Sequence, residues 1–191
     1  MPVRRDFLHD QDSPHAWQRV GSRQIADCRV FRVREDECRR TDGGSEARFF
    51  VLENPDWVNI IALTPRDEVV LIEQFRHGIG ETILEIPGGL IDDGEDAADA
   101  ARRELLEETG YSPDEIVLIG TSRPNPALQN NTIYHFLATG CIEAAETAFD
   151  EHESITTLLV PLGDVDTMMK SGRIAHSLVV TAFHYLYLYS K

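Results

Sequence analysis

The segment from Ile83 to Tyr111 constrains this chain more than any other. Ile83-Leu84-Glu85-Ile86 reads as a strand, and Pro87-Gly88-Gly89 forces a sharp turn directly after it. Residues 95–109 then run through Ala97, Ala98, Ala100, Ala101, Leu105 and Leu106 without a breaker, so the composition predicts a helix. Gly110 is the residue type expected to end it.

The rest of the chain supplies strands around this helix. Trp57–Thr64 and Val69–Phe75 are apolar runs separated by the turn Pro65-Arg66-Asp67-Glu68. Further strands are expected near 115–122, 131–139 and 154–160. Helical patterns follow at 163–170 and 175–189, the second with Ile174, Leu178, Val179, Ala182, Phe183 and Leu186 at helical spacing. Upstream, residues 25–53 read as a hairpin closed by Thr41-Asp42-Gly43-Gly44-Ser45, and the polar residues before Ile25 read as a loose arm. The expected organisation is a flexible arm at 1–24, a hairpin at 25–54 and one main domain at 55–191. Many strands with segregated helices indicate α+β layering around a mixed sheet.

Composition narrows the function. A chain of 191 residues with 42% apolar and 27% charged residues suits one soluble domain. No run approaches the roughly 18 apolar residues of a membrane span, and no apolar stretch follows Arg4-Arg5, so neither membrane nor secretion is expected. Cys28, Cys38 and Cys141 form no Cys-x-x-Cys pair and read as reduced thiols of a cytoplasmic protein. The net charge of −15 repels a phosphate-rich polymer and excludes nucleic-acid binding as a main function. A small anionic substrate remains compatible only if something positive sits in the site, and metal ions are the simplest source.

Glu104, Glu107 and Glu108 are related by three and four positions, so a helix projects all three from one face. They lie at its C-terminal end, where the helix field disfavours negative charge, and Arg103 can offset only part of the repulsion. A solvated acidic face is one reading. Carboxylate oxygens clustered against the helix field also suit a hard divalent cation, Mg²⁺ or Mn²⁺.

A resemblance bears on that choice. Gly89, Glu95 and the run Arg103-Glu104-Leu105-Leu106-Glu107-Glu108-Thr109-Gly110 match every fixed position of the Nudix box, which spans 23 residues here through Tyr111. Tyr111 stands where a smaller aliphatic residue is usual. The resemblance implies the Nudix α/β/α sandwich with a mixed β-sheet and an N-terminal β-hairpin. It also implies two or three Mg²⁺ (or Mn²⁺) ions, with Glu104, Glu108 and the Gly88 carbonyl as ligands. Glu107 would hold a further ion directly or through water, Arg103 would orient the glutamates, and Glu95 would steady the loop.

Outside the box, Glu73-Gln74-Phe75-Arg76, the run Leu84 to Gly89 containing Glu85, and Pro126 sixteen residues after Gly110 resemble the ADP-ribose and nucleotide-sugar pyrophosphatase branch. That branch implies hydrolysis of a nucleoside diphosphate sugar, with Arg76 on phosphate and Glu85 and Pro126 in the substrate site. Asn130 and Asn131 can bond the sugar or simply make a turn. The branch places a general base near Asp150-Glu151-His152-Glu153, where Glu151 aligns best and Glu153 second. Trp17 lies in the arm, which in relatives crosses to a partner subunit and helps close its base pocket, so a homodimer with the N-terminal hairpin exchanged between subunits is expected. His176 and His184 read as surface or packing residues. Other readings left open are a dinucleotide or dinucleoside polyphosphate substrate, and a non-hydrolytic sensor of nucleotide sugars.

Overall fold

The computed structural model describes residues 16–149 and 154–191. Two compact units emerge. The smaller comprises the described residues up to Asn54 with Asn125–Asn130, and the larger comprises Pro55–Pro124 with the described part of Asn131–Lys191.

The smaller unit is an antiparallel sheet of β1 (Trp17–Asp27), β2 (Arg32–Arg40) and β3 (Glu46–Glu53), in that spatial order. The expected hairpin is therefore one strand larger. Residues 17–24, read above as part of a loose arm, pair with β2 from Trp17↔Arg40 to Gln24↔Arg34. Apolar alternation is a poor guide to this strand because charges answer it. Arg23 donates to Glu35 at 2.8 Å, and the Ser22 hydroxyl donates to Asp36 at 2.6 Å. Glu35 and Asp36 are buried on the central strand, and Arg34 reaches both Asp36 and Glu53. Burial, the largest influence on Asp36, would raise its carboxyl. The Ser22 hydroxyl and the Arg34 guanidinium outweigh it and hold the group below the usual carboxylate range.

The larger unit is built on β4 (Trp57–Leu63), β5 (Glu68–Arg76), β6 (Glu81–Glu85), β7 (Tyr111–Ser112), β8 (Glu115–Ser122), β9 (Ile133–Thr139), β10 (Ile142–Glu143) and β11 (Ile155–Pro161). Its helices are α1 (Ala97–Thr109), α2 (Val165–Lys170) and α3 (Ser177–Tyr189). Six strands form one sheet in the order β11-β5-β4-β9-β8, with β6 on β5. β4 and β9 run parallel and the other pairs antiparallel, so the sheet is mixed. The short β7 and β10 pair separately.

Alternation along these strands splits the core into two layers. Val58, Ile60, Ala62, Val70, Phe136 and Ala138 face Ala100, Ala101 and Leu105 of α1. Ile61, Val69, Leu71 and Leu137 face Val179, Ala182 and Phe183 of α3. The sheet thus lies between helices, as the Nudix resemblance implies. The two fully buried alanines let α1 approach the sheet closely, and that fixes the depth of its last turn. Tyr111, the departure from the box, packs into this layer and donates its hydroxyl to Glu143 at 3.1 Å.

Candidate active site

Local chemistry sets both ends of α1. The Asp96 carboxylate accepts the Ala98 N–H at 2.8 Å, so the helix begins at Ala97, two residues later than composition suggests. Gly110 ends it with φ 76°, and its N–H donates to the Leu106 carbonyl at 2.8 Å. A side chain at Gly110 would be strained by that φ and would also meet the Ala145 carbonyl. No basic residue lies in the last turn, so the carboxylates there stand against the helix field.

Glu108 is only 4% exposed. Its carboxylate accepts the Gly88 N–H at 2.9 Å. On the other side of this stretch, the carbonyls of Pro87 and Gly89 accept from Ile60 and Val58 of β4, each at 2.9 Å. Extended pairing alternates the direction of backbone groups, so the Gly88 carbonyl shares the side of its own N–H, where Glu108 lies. Both glycines are needed for close approach. A Cβ on Gly88 would strike the Val58 carbonyl, and one on Gly89 would strike the Glu104 carboxylate.

Arg103 ties the following loop to the helix. Its Nε and one terminal nitrogen donate to the two Glu95 oxygens at 2.9 Å each, and that nitrogen also reaches the Leu90 carbonyl at 3.0 Å. The other terminal nitrogen donates to Glu104 at 2.8 Å and to Glu107 at 3.2 Å. The Arg103 hydrogen bonds, helped by the Asp92 N–H, hold the Glu95 carboxyl down at about 2. The same partners raise the Arg103 guanidinium further, Glu95 foremost. The loop is thereby clamped beside the glycine turn.

Among the described residues, no three His, Cys, Asp or Glu side chains are grouped so as to hold a metal ion, and Arg103 lies among Glu95, Glu104 and Glu107. The donor chemistry still fits a hard cation. Glu104 and Glu108 are carboxylates packed against Gly89 and Gly88, and the Gly88 carbonyl is directed toward the same side.

A second group lies at the end of β6, three residues before Gly88. Glu85 has a side chain 3% exposed, and Arg76 on β5 donates its Nε to both carboxylate oxygens, at 3.1 and 3.2 Å. A terminal nitrogen of Arg76 bonds Glu85 as well, which makes a two-pronged pair. Near them is a residue that the sequence reading took for a surface or packing residue. His176, just before α3, places Nδ1 3.6 Å from the Glu85 carboxylate. Nothing in the chain's periodicity marks this, because the two residues meet only through the fold.

The remaining candidates are spread more widely. Asn131, at 1% exposure, has both amide atoms without a partner among the described residues, so it is not a surface turn residue. Asn130 is exposed, and its side-chain oxygen accepts the Asn54 N–H at 3.0 Å within the smaller unit. Pro126 is exposed in that unit, as is Trp17, whose ring meets Phe49 edge-on at 5.1 Å between centroids. Glu151 and Glu153 lie outside the described residues.

The NUDIX domain profile matches residues 54–181, which contain the glycine turn, α1 and its Glu104, Glu107 and Glu108. The chain belongs to the Nudix family. Members of this hydrolase family generally use divalent metal ions. The Nudix chain is 31% identical over 170 residues to the methanol dehydrogenase activator of Bacillus methanolicus, covering 88% of this chain and 91% of that protein. It is 28% identical, with the same coverage, to the ADP-ribose pyrophosphatase of Bacillus subtilis (strain 168). A crystal structure of an ADP compounds hydrolase superposes with a TM-score of 0.82 at 20% identity, over 93% of this chain and 95% of that one, and so shares the fold. No helix among the described residues is long and apolar enough to cross a membrane.

Proposed function

We propose that this Nudix hydrolase cleaves the pyrophosphate bond of ADP-ribose or a related nucleoside diphosphate sugar, giving a nucleoside monophosphate and a sugar phosphate. The observation that carries the reading is the packing of Glu104 and Glu108 against Gly89 and Gly88 on the last turns of α1. The relative named ADP-ribose pyrophosphatase supports the substrate class.

In this reading Glu104, Glu108 and the Gly88 carbonyl hold divalent ions, and Glu107 contributes to a further one. Two or three Mg²⁺ ions, with Mn²⁺ as the substitute, would supply charge to stabilise phosphoryl oxygens and lower the pKa of an attacking water. The chain's own residues do the rest. Arg103 holds Glu104 and Glu107 in place and fastens the loop through Glu95. Arg76 offers an exposed guanidinium to phosphate while Glu85 fixes its direction. Asn131 has unpaired amide atoms that suit a sugar hydroxyl. Glu151, or Glu153 in its place, is the proposed general base. For Trp17, Pro126 and Asn130 a part in substrate binding rests on the branch resemblance alone. A homodimer formed through the smaller unit belongs to the same reading. The exposed Val20, Ile25, Phe49 and Phe50 on β1 and β3 support it.

The test is product chromatography on ADP-ribose, ADP-glucose, GDP-mannose, UDP-glucose, NADH and diadenosine polyphosphates, with Mg²⁺ and with chelator. Metal-dependent release of a nucleoside monophosphate from a diphosphate sugar is expected. A folded, metal-binding protein that leaves the diphosphate sugars intact would sink the proposal.

A further inference from the structure

We propose that His176 is a positioning residue for Arg76, setting how firmly that arginine meets the diphosphate of the substrate. The inference rests on the functional reading above, because it takes Arg76 as the phosphate contact.

Glu85 is the pivot. A carboxylate this deeply buried costs several kcal/mol unless cations or donors answer it. Arg76 answers one flank with its two-pronged contact. His176 stands on the other, at 3.6 Å from Glu85 Oε1, inside ion-pair range but too long for a tight hydrogen bond.

The His176 backbone is fixed by the first turn of α3, since its carbonyl accepts from Val179 and Val180 at 3.1 Å each. Its side chain makes no cap hydrogen bond with that helix, so the ring faces Glu85 without a competing role there. Arg76 has a side chain 42% exposed and ends β5 at the turn into β6. Glu85 therefore links the residue that precedes α3 to the last residue of β5. His176 Nδ1 faces the same carboxylate, so Glu85 does not turn to the guanidinium alone. The guanidinium can then share its donors with an incoming phosphate.

Removing His176 has a distinctive signature, because the loss falls on binding and acts only through Arg76. Serine is the substitution of choice, being a good helix cap too short to reach Glu85. With ADP-ribose and Mg²⁺, His176→Ser should raise KM ~5-fold with kcat nearly unchanged. His176→Lys, which places a cation beside Glu85, should recover most of that loss. In an Arg76→Ala background, His176→Ser should have no further effect on KM. A merely structural histidine would instead lower Tm and cut kcat whether or not Arg76 is present.

An unchanged KM in His176→Ser, or the same rise in both backgrounds, would overturn the role of His176 while leaving the hydrolase reading intact. Wild-type protein that neither binds nor cleaves ADP-ribose would instead remove the functional reading, and this inference with it.

Discussion

The two larger sheets among the described residues are each held together by different physics. The six-stranded sheet buries Val58, Ile60, Ile61, Val69, Val70 and Leu71 completely between helices on its two faces. The three-stranded sheet buries Glu35 and Asp36 on its central strand and leaves Phe49, Phe50 and Val20 exposed. Apolar burial stabilises the first at about 25 cal/mol per Å², with little dependence on salt or pH. Ion pairs and hydrogen bonds specify the second, and such pairs weaken in salt. The contrast separates a rigid platform from an adaptable surface. The metal-ligand candidates, Arg76 and Glu85 all stand on the platform, where neighbouring side chains can hold them in place.

The largest expected effect tests whether the chemistry belongs to the platform. Glu108→Gln should lower turnover ~10³-fold or more, since it removes one charge from the metal-ligand set. The amide keeps the side chain's size, so circular dichroism should show an unchanged fold. Near-wild-type turnover would break the assignment of Glu108.

A smaller effect separates the two sheets by pH. His135, on the α3 side of β9, is 0% exposed, and burial pushes its imidazole down to about 4. Between that value and the ordinary 6.5, the unfolded chain takes up a proton that the folded chain refuses. Stability should therefore fall as pH drops through this window, by ~3 kcal/mol at most. Asp36 runs at a different point. Its lowered carboxyl adds stability that is present above the ordinary aspartate value of 3.8 and lost only below it. Urea unfolding from pH 7 to pH 4 should show the loss in wild type, and a smaller one in His135→Asn. Parallel curves for the two proteins would mean that the histidine does not titrate this way.

The smallest effect concerns the charged sheet. Asp36→Asn should cost ~1–2 kcal/mol in dilute buffer and clearly less in 1 M salt, because charge pairing is what it removes. A salt-independent loss would make β1 to β3 a packed core like its neighbour, and the contrast drawn here would collapse.

How much was legible follows from the same difference. β4, β5 and β8 were readable because apolar runs met clear turn signals, and a layered Nudix sandwich followed from the box. β1 was not readable before Ile25. Arg19 and Arg23 look like a polar arm until their partners on β2, Cys38 and Glu35, are known. The three glutamates of α1 were legible as a face because helical geometry alone aligns them. The resemblance implied that Arg103 orients the glutamates and Glu95 steadies the loop, but not that Arg103 itself bonds Glu95 and the Leu90 carbonyl. His176 was read as a surface or packing residue because spacing on α3 says nothing about a carboxylate on β6.

By itself the sequence determined the local features: a breaker-free helix ended by Gly110, a glycine turn before it, and three glutamates on one stripe. These depend on residues within a few positions of one another, so periodicity and propensity suffice. Only the tertiary structure decided that Gly88 donates to Glu108, that Gly89 makes room for Glu104, and that His176 stands beside Glu85. Those contacts join segments far apart in the chain. Sheet order and helix depth bring them together, and both are set by how the whole core packs.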